Sequence, residues 1–413
     1  MFRSKKIKVA FLSLVILLVL GAGAAYAAIN IWPSVGAETV DILRGILGDQ
    51  AVAVVEDSVL KTQDDIRQLL QKIKGGAPDV QWTGGEITES APLSTPTSSK
   101  PILTQTPSPV RPYFTAVPGV PTLAATQTVS PSPTSAGWNL PPATALSGKK
   151  NEAQWQPFIT SNGQVVAYRT FIAPDPQRSY AFAAVIAFDL ANTRLHFLLG
   201  SEDPKSDVKV ERSGRIPDQD RQAGFLLAAF NGGFKAEHGH FGVMVNGVTL
   251  IPARDNIGTL GLYADGSVRM GLLGQDVPET PDLLAWRQNG PLVIQNGSIN
   301  PQTDSNDPQD WGYVVSSDTA TYRSAIAISQ DNRTLYFVVG PDLTLPALAK
   351  AVAAIQAYQA IQLDINNYWA HFESFEPAGA GLKAVPLLDY MKGIDDQRFL
   401  GRYIRDYFYV TAK

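Results

Sequence analysis

The sequence predicts an α+β (mixed α/β) protein. A large mixed β-sheet core with flanking helices follows an N-terminal membrane segment, a helix and a disordered linker. Three observations predict this class. Strand-like apolar runs crowd the second half of the chain, among them "FLLAAF", "GVMVNGVTLI" and "SAIAISQDNRTLYFVVG". Asn246-Gly247, Asp265-Gly266 and Asn296-Gly297 punctuate these runs with residues that tolerate the positive φ of tight hairpin turns. One helical pattern, with Leu345, Leu348, Val352 and Ile355 on one face, lies between strand-like residues 335–339 and 361–365. That order is a β-α-β unit.

Taken from the N-terminus, Arg3, Lys5, Lys6 and Lys8 precede the apolar residues 9–20, and Ala25-Tyr26-Ala27 has the form of a cleavage site. Counted as far as Trp32, the apolar run reaches the roughly 20 residues that span a bilayer. Residues 1–33 are therefore a signal peptide or a transmembrane anchor. Either reading puts the remainder outside the cytoplasm, secreted or as a single-pass protein of the cell membrane, because flanking positive charge stays inside.

Residues 37–74 read as an amphipathic juxtamembrane helix. Val52, Val55 and Val59, then Ile66, Leu69, Leu70 and Ile73, recur at helical spacing, and Gly75-Gly76 ends the pattern. Such a helix can self-associate with a second copy or stand as a solvated spacer. Residues 75–150 contain "APLSTPTSSKP" and "TVSPSPTSAG", and a Pro/Ser/Thr-rich stretch of this kind has too little to bury to offset its ordering entropy. It is read as a disordered linker. Residues 153–413 are one domain by size. Within it, Thr344 is placed to cap the helix between the two strand-like runs, with Pro346 in the first turn.

Composition narrows the function. The chain has no cysteine, so no disulfide braces it, and a net charge of -4 gives nucleic acid no electrostatic purchase. No G-x-S-x-G, Walker A loop, CxxC or H-E-x-x-H occurs. What remains is polar constellations at strand ends. Asn231-Gly232-Gly233-Phe234 follows an apolar strand, where glycine admits close approach of a ligand or simply makes a turn. His238-Gly239-His240 would share one strand face and, with His371 and Asp364, offers zinc-like ligands. Contact with sugar hydroxyls is the preferred role, so no cofactor is assigned and a divalent metal is kept as an alternative. "LDINNYWAHF" sets Asp364, Asn366, Asn367, Trp369 and His371 at the end of the second strand of the β-α-β unit. Carboxylates and amides grip hydroxyls, and an aromatic face stacks on a sugar ring. Arg254, Arg287 and Arg323 lie at strand ends or beside glycine, and suit bidentate binding of phosphate as well as ordinary ion pairing.

In order, these stretches resemble the phosphodiester glycosidase family. The counterparts of its motifs are "NGGFK" from Asn231, "GVMVNG" from Gly242, "NGPLVIQNG" from Asn289, "RSAIAI" from Arg323 and "LDINNYW" from Leu363. The last departs from the family's L-D-G-G-G-S loop, with Ile365, Asn366 and Asn367 at the glycine positions. The resemblance implies an extracytoplasmic hydrolase of sugar-1-phosphodiester bonds, its substrate an envelope glycan or sugar phosphate. Arg323, helped by Arg254 or Arg287, would bind the phosphate, and Asp364 would stabilise positive charge at the anomeric carbon. Asn231 completes the catalytic set, and Gly232, Gly233, His238, His240, Asn366, Asn367, Trp369 and His371 line the substrate. The alternative is a non-catalytic glycan-binding module on a membrane stalk.

Overall fold

A computed structural model describes residues 33–75, 79–83, 138–304, 311, 316–379 and 381–413. Residues 1–32 of the predicted membrane segment and most of the predicted linker lie outside the described residues. Among the described residues, no helix is long and apolar enough to cross a membrane.

The described fold is mostly β, with three sheets and few helices. The first sheet has the order β1 (Gln156–Ser161), β2 (Gln164–Ile172), β3 (Ala183–Asp189), β14 (Thr334–Leu343), β13 (Thr321–Ile328), β15 (Gln359–Gln362), β11 (Leu292–Gln295), β12 (Ser298–Ile299). The second runs β7 (Val248–Ile251), β6 (Val243–Val245), β10 (Leu283–Gln288), β8 (Gly258–Tyr263), β9 (Val268–Leu272). The third runs β17 (Gly381–Pro386), β16 (Phe372–Ala378), β5 (Leu226–Asn231), β18 (Tyr407–Ala412), β4 (Thr193–Leu198). All three predicted turns close hairpins, β6–β7, β8–β9 and β11–β12. Asn246 and Asn296 take φ of 52° and 50°, with φ of 76° at the glycine that follows each.

The expected mixed sheet is corrected. Bonded neighbours in the eight-stranded sheet are antiparallel throughout. The β-α-β unit is nevertheless present. The helix α3 (Leu345–Ala354) joins β14 to β15, and β13 lies between them, antiparallel to both. The crossover strands thus run the same way without touching. As its composition suggests, α3 starts on a capping bond, Ala347 N–H to Thr344 Oγ1 at 3.1 Å, with Pro346 in the first turn.

The first and third sheets face each other across a phenylalanine-rich core. Phe188 and Phe337 come from the first sheet, and Phe230, Phe372 and Phe408 from the third. Phe230 lies 4.6 Å from Phe337 between ring centroids, within the range of attractive ring pairs. α3 covers the far side of the first sheet with Leu345, Leu348 and Val352, all fully buried. That explains why β14 reads as a continuous apolar run instead of an alternating one.

The predicted N-terminal helix is two helices, α1 (Pro33–Leu47) and α2 (Asp49–Lys74), broken at Gly48, where φ is 84°. Arg44 and Glu56 bridge the break at 2.5 Å. α2 rests on the globular body through its polar side. Asp64 accepts from Arg178 Nη2 at 2.6 Å and from the Tyr180 hydroxyl at 2.8 Å, Arg67 pairs with Asp342, and the Thr319 hydroxyl donates to Asp57. Further along, Val80 and Trp82 pack against the main core, and Trp82 pairs with Leu388.

Candidate active site

Four chain segments end at one place. β5 runs into Asn231-Gly232-Gly233, β15 leads to Asp364, residues 366–371 lead into β16, and Arg405-Asp406 leads into β18. Pairing sets the convergence: Phe372 lies opposite Phe230, and Tyr407 opposite Asn231. Between these ends is a narrow recess, too tight to admit a water molecule, lined by Asn231, Gly232, Gly233, Asp364, Trp369, Tyr403, Arg405 and Asp406.

Five of the predicted residues therefore meet: Asn231, Gly232, Gly233, Asp364 and Trp369. Asp364 is 4% exposed and its Oδ2 sits 3.1 Å from Arg405 Nη2. Burial raises the pKa of this carboxyl, and the Arg405 charge opposes that without cancelling it. The same Arg405 nitrogen donates to the Gly233 carbonyl at 2.7 Å, and the guanidinium lies over the Trp369 ring at 4.7 Å. Burial alone would lower the pKa of Arg405, but Asp364 and Asp203 outweigh it and hold the cation charged. Asp203, its Oδ2 4.0 Å from Arg405 Nε, is buried and its pKa is raised by that burial. Arg405 is thus the electrostatic centre of the site.

The glycine pair is needed for close approach, but to protein groups. A Cβ on Gly232 would lie 2.6 Å from the Asp406 carbonyl oxygen, and one on Gly233 would lie 2.6 Å from Asn289 Oδ1 and 2.9 Å from Arg287 Cζ. Asn231 is likewise committed. Its amide donates to Ser324 Oγ at 3.0 Å and to the Gly232 carbonyl at 2.9 Å, and accepts from His371 N–H at 3.2 Å. It positions the site wall by tying three segments together.

The other predicted residues do not reach the recess. Arg323, fully buried, donates to the Leu343 carbonyl, Gln362 Oε1 and the Thr319 carbonyl. It projects to the opposite face of β13 from Ser324, whose hydroxyl donates to the Asp364 carbonyl, because successive strand residues alternate. Burial lowers its pKa to about 9. Arg287 stands one layer back: Nε bonds Asp406 at 2.9 Å, and its other donors serve the carbonyls of Phe234, Phe241 and Gln288. Arg254 donates to the Gly239 carbonyl and stacks on Phe241.

His238 and His240 lie in a turn and not on a strand, so the alternation that would have aligned them does not apply; His240 takes φ of 47°. Asn366 caps its own turn, accepting from Tyr368 N–H at 2.8 Å. Asn367 sits in the same turn and is not among the recess residues. His371 points away from the recess to Glu373, 3.3 Å from Nε2 to Oε1, and both side chains are fully buried. Burial holds the imidazole well below its ordinary pKa and pushes Glu373 up to about 8. Among the described residues no group of three or more His, Cys, Asp or Glu side chains is placed to hold a metal ion.

Sequence reasoning missed Tyr403, Arg405 and Asp406. The available signal was "RDYFYV", an Arg-Asp pair opening an alternating aromatic strand. Alone, it does not say which strand ends it will join.

Comparison with known proteins agrees with the motif resemblance. Residues 225–364 match the family model of the phosphodiester glycosidases. Asn231, Gly232, Gly233 and Asp364 fall inside the match, whereas Trp369, Arg405 and Asp406 lie beyond it. Among solved structures, the zebrafish N-acetylglucosamine-1-phosphodiester α-N-acetylglucosaminidase catalytic domain, auto-inhibited by pro-peptide, aligns with a TM-score of 0.40 at 14% identity. That alignment covers 63% of this chain and 87% of that one. A hypothetical protein from Synechocystis aligns with a TM-score of 0.35 at 10% identity, over 63% of this chain and 65% of that one. No curated protein matches the chain.

Proposed function

We propose that the protein is a hydrolase of sugar-1-phosphodiester bonds, working outside the cytoplasm on cell-envelope glycans, with Asp364 and Arg405 at its centre. The observation that carries this reading is the buried Asp364–Arg405 pair in a recess that Trp369 also lines, within a chain whose residues 225–364 match the phosphodiester glycosidase family. In such a hydrolysis the bond between the anomeric carbon and the phosphate oxygen breaks. Water supplies the oxygen that replaces it, and the departing phosphate monoester carries the electron pair. Positive charge builds on the anomeric carbon, and Asp364 is the carboxylate available to stabilise it. The phosphate needs a fixed cation, and Arg405 replaces Arg323 in that role because its guanidinium faces the recess. The extracytoplasmic location draws on the charge and hydropathy of residues 1–33 alone.

A second reading, a glycan-binding module without turnover, is favoured by one observation. The recess is tight, and the Asn231 amide is already committed to protein partners. Hydrolysis of a panel of sugar-1-phosphodiesters by wild type, Asp364→Asn and Arg405→Lys separates the two, with melting temperatures measured alongside. The enzyme reading expects wild-type turnover and a loss of roughly 10²–10³-fold in each folded variant. Glycan binding with no turnover of any panel member supports the second reading. Full activity in folded Asp364→Asn overturns the site.

A further inference from the structure

α2 presents its apolar side to solvent. Of the seventeen large hydrophobic side chains exposed among the described residues, eleven lie on α1 and α2. The helix cannot turn this side inward, because Asp57, Asp64 and Arg67 on its opposite side are tied to Thr319, Arg178, Tyr180 and Asp342.

The outward side has a seven-residue period. Val59, Ile66 and Ile73 recur at one heptad position, conventionally a, and Val55, Thr62 and Leu69 at the complementary position d; Val52, one heptad before Val59, is buried and lies outside this face. Asp57 and Asp64 then occupy f, the position diametrically away from the seam, which is where the body lies. Sequence period and docking geometry, which are independent, select the same face. From Val59 onward the a and d side chains are all exposed. β-branched residues at every a position, with Leu69 at d, favour a parallel two-stranded coiled coil. The 26 residues of α2 span about 39 Å, and the exposed seam from Val55 to Ile73 takes up a little under three heptads of it.

We propose that the outward face of α2 is covered by the same face of a second copy of this chain, as a parallel coiled coil. Charge favours this occupant. In a parallel pair Ser58 faces Gln63 of the other copy and Asp65 faces Leu70, so no like charges meet. A lipid surface would require a basic rim. Here five acidic side chains outnumber four basic ones on α2, and Lys61 and Arg67 are already paired with Asp57 and Asp342.

The absence of cysteine gives a clean test. Ile66→Cys places a thiol in the seam, where parallel partners bring Cα atoms within the roughly 5.5–6 Å of a disulfide. Lys61→Cys places one off the seam on the same exposed helix. The full chain, in mild detergent with a mild oxidant, is expected to form a covalent dimer with Ile66→Cys and not with Lys61→Cys. Light scattering should give the unsubstituted chain a dimer mass, halved by Ile66→Asp combined with Ile73→Asp, with circular dichroism unchanged. A monomer mass for the unsubstituted chain overturns the proposal, as does equal cross-linking at both sites. Loss of binding to anionic vesicles in the Asp variant of a monomeric chain would assign the face to lipid instead.

Discussion

Behind the recess a carboxyl and an imidazole are enclosed together, and their protonation opposes one another. Glu373, raised to about 8 by burial, keeps its proton in the folded chain, whereas an unfolded glutamate releases it near 4.3. The stability that comes from this buried neutral form is complete below that ordinary value and is lost as pH rises through about 8. His371 has the reverse sign. An unfolded imidazole takes a proton below about 6.5 that the buried ring does not, so its contribution is lost as pH falls. Between about pH 6.5 and 8 only Glu373 of the pair changes, and stability should fall by up to about 1.4 kcal/mol per pH unit on its account. Glu373→Gln, neutral and nearly isosteric, should flatten that slope, as followed by urea unfolding at several pH values in the window. Parallel profiles for wild type and variant would show that Glu373 is not protonated in the fold. The same scale shows what residue reading can and cannot find. Asp364 was legible because a lone carboxylate at a strand end after a crossover has few structural uses. Arg323 looked suited to phosphate because it opens a strand, and only the pleat of β13 turns it away from the recess. Arg405, in the bend before β18, carried no such local signal.

At the scale of elements, the short-range grammar was readable. Asn-Gly turns, the Thr344 cap and the crossover through α3 each depend on residues within a few positions of one another. The sheet's direction was not, because β13 inserts between β14 and β15 through pairings that no local period encodes. The His238-Gly239-His240 reading failed for a related reason: alternation has meaning only on a strand, and this segment turns. α2 supplies the test proper to this scale. Its position on the body depends on Asp64, which accepts from both Arg178 and Tyr180. Asp64→Asn removes the charge while keeping the shape, and should weaken the docking by about 1–3 kcal/mol. Hydrogen exchange would read this as lost protection in residues 49–74 with the sheets unchanged. Equal protection in wild type and variant would mean that Asp64 does not hold the helix.

For the whole molecule, the described residues up to Thr83 and those from Leu140 onward make one compact unit. Arg169 lies 4.7 Å over the Trp82 ring, the Trp155 indole donates to the Pro141 carbonyl, and Glu152 accepts from Leu146 and Ser147 N–H groups. A chain begun at Asn151 would lose α2 with its ties to Arg178, Tyr180 and Asp342, Val80 and Trp82 from the core, and the Glu152 partners at 146–147. It should keep a β-rich circular dichroism spectrum yet melt at least several degrees below a chain begun at Pro33, as expected for a loss of more than about 1–3 kcal/mol. Equal melting temperatures would show that these segments add nothing.

β18 has a consequence in the order of synthesis. It lies between β4 and β5, which end at Leu198 and Asn231, yet it begins only at Tyr407. While the chain is being made, β4 and β5 emerge with the strand between them still to come, and each meanwhile exposes an unpaired edge of the kind that recruits other strands. Arg405 and Asp406 arrive in the same late segment. The two halves of the recess therefore meet only when that strand slots home. A nascent chain stalled before residue 405 would hold Asp364 without its cation, and any chemistry at this site must await completion of the third sheet.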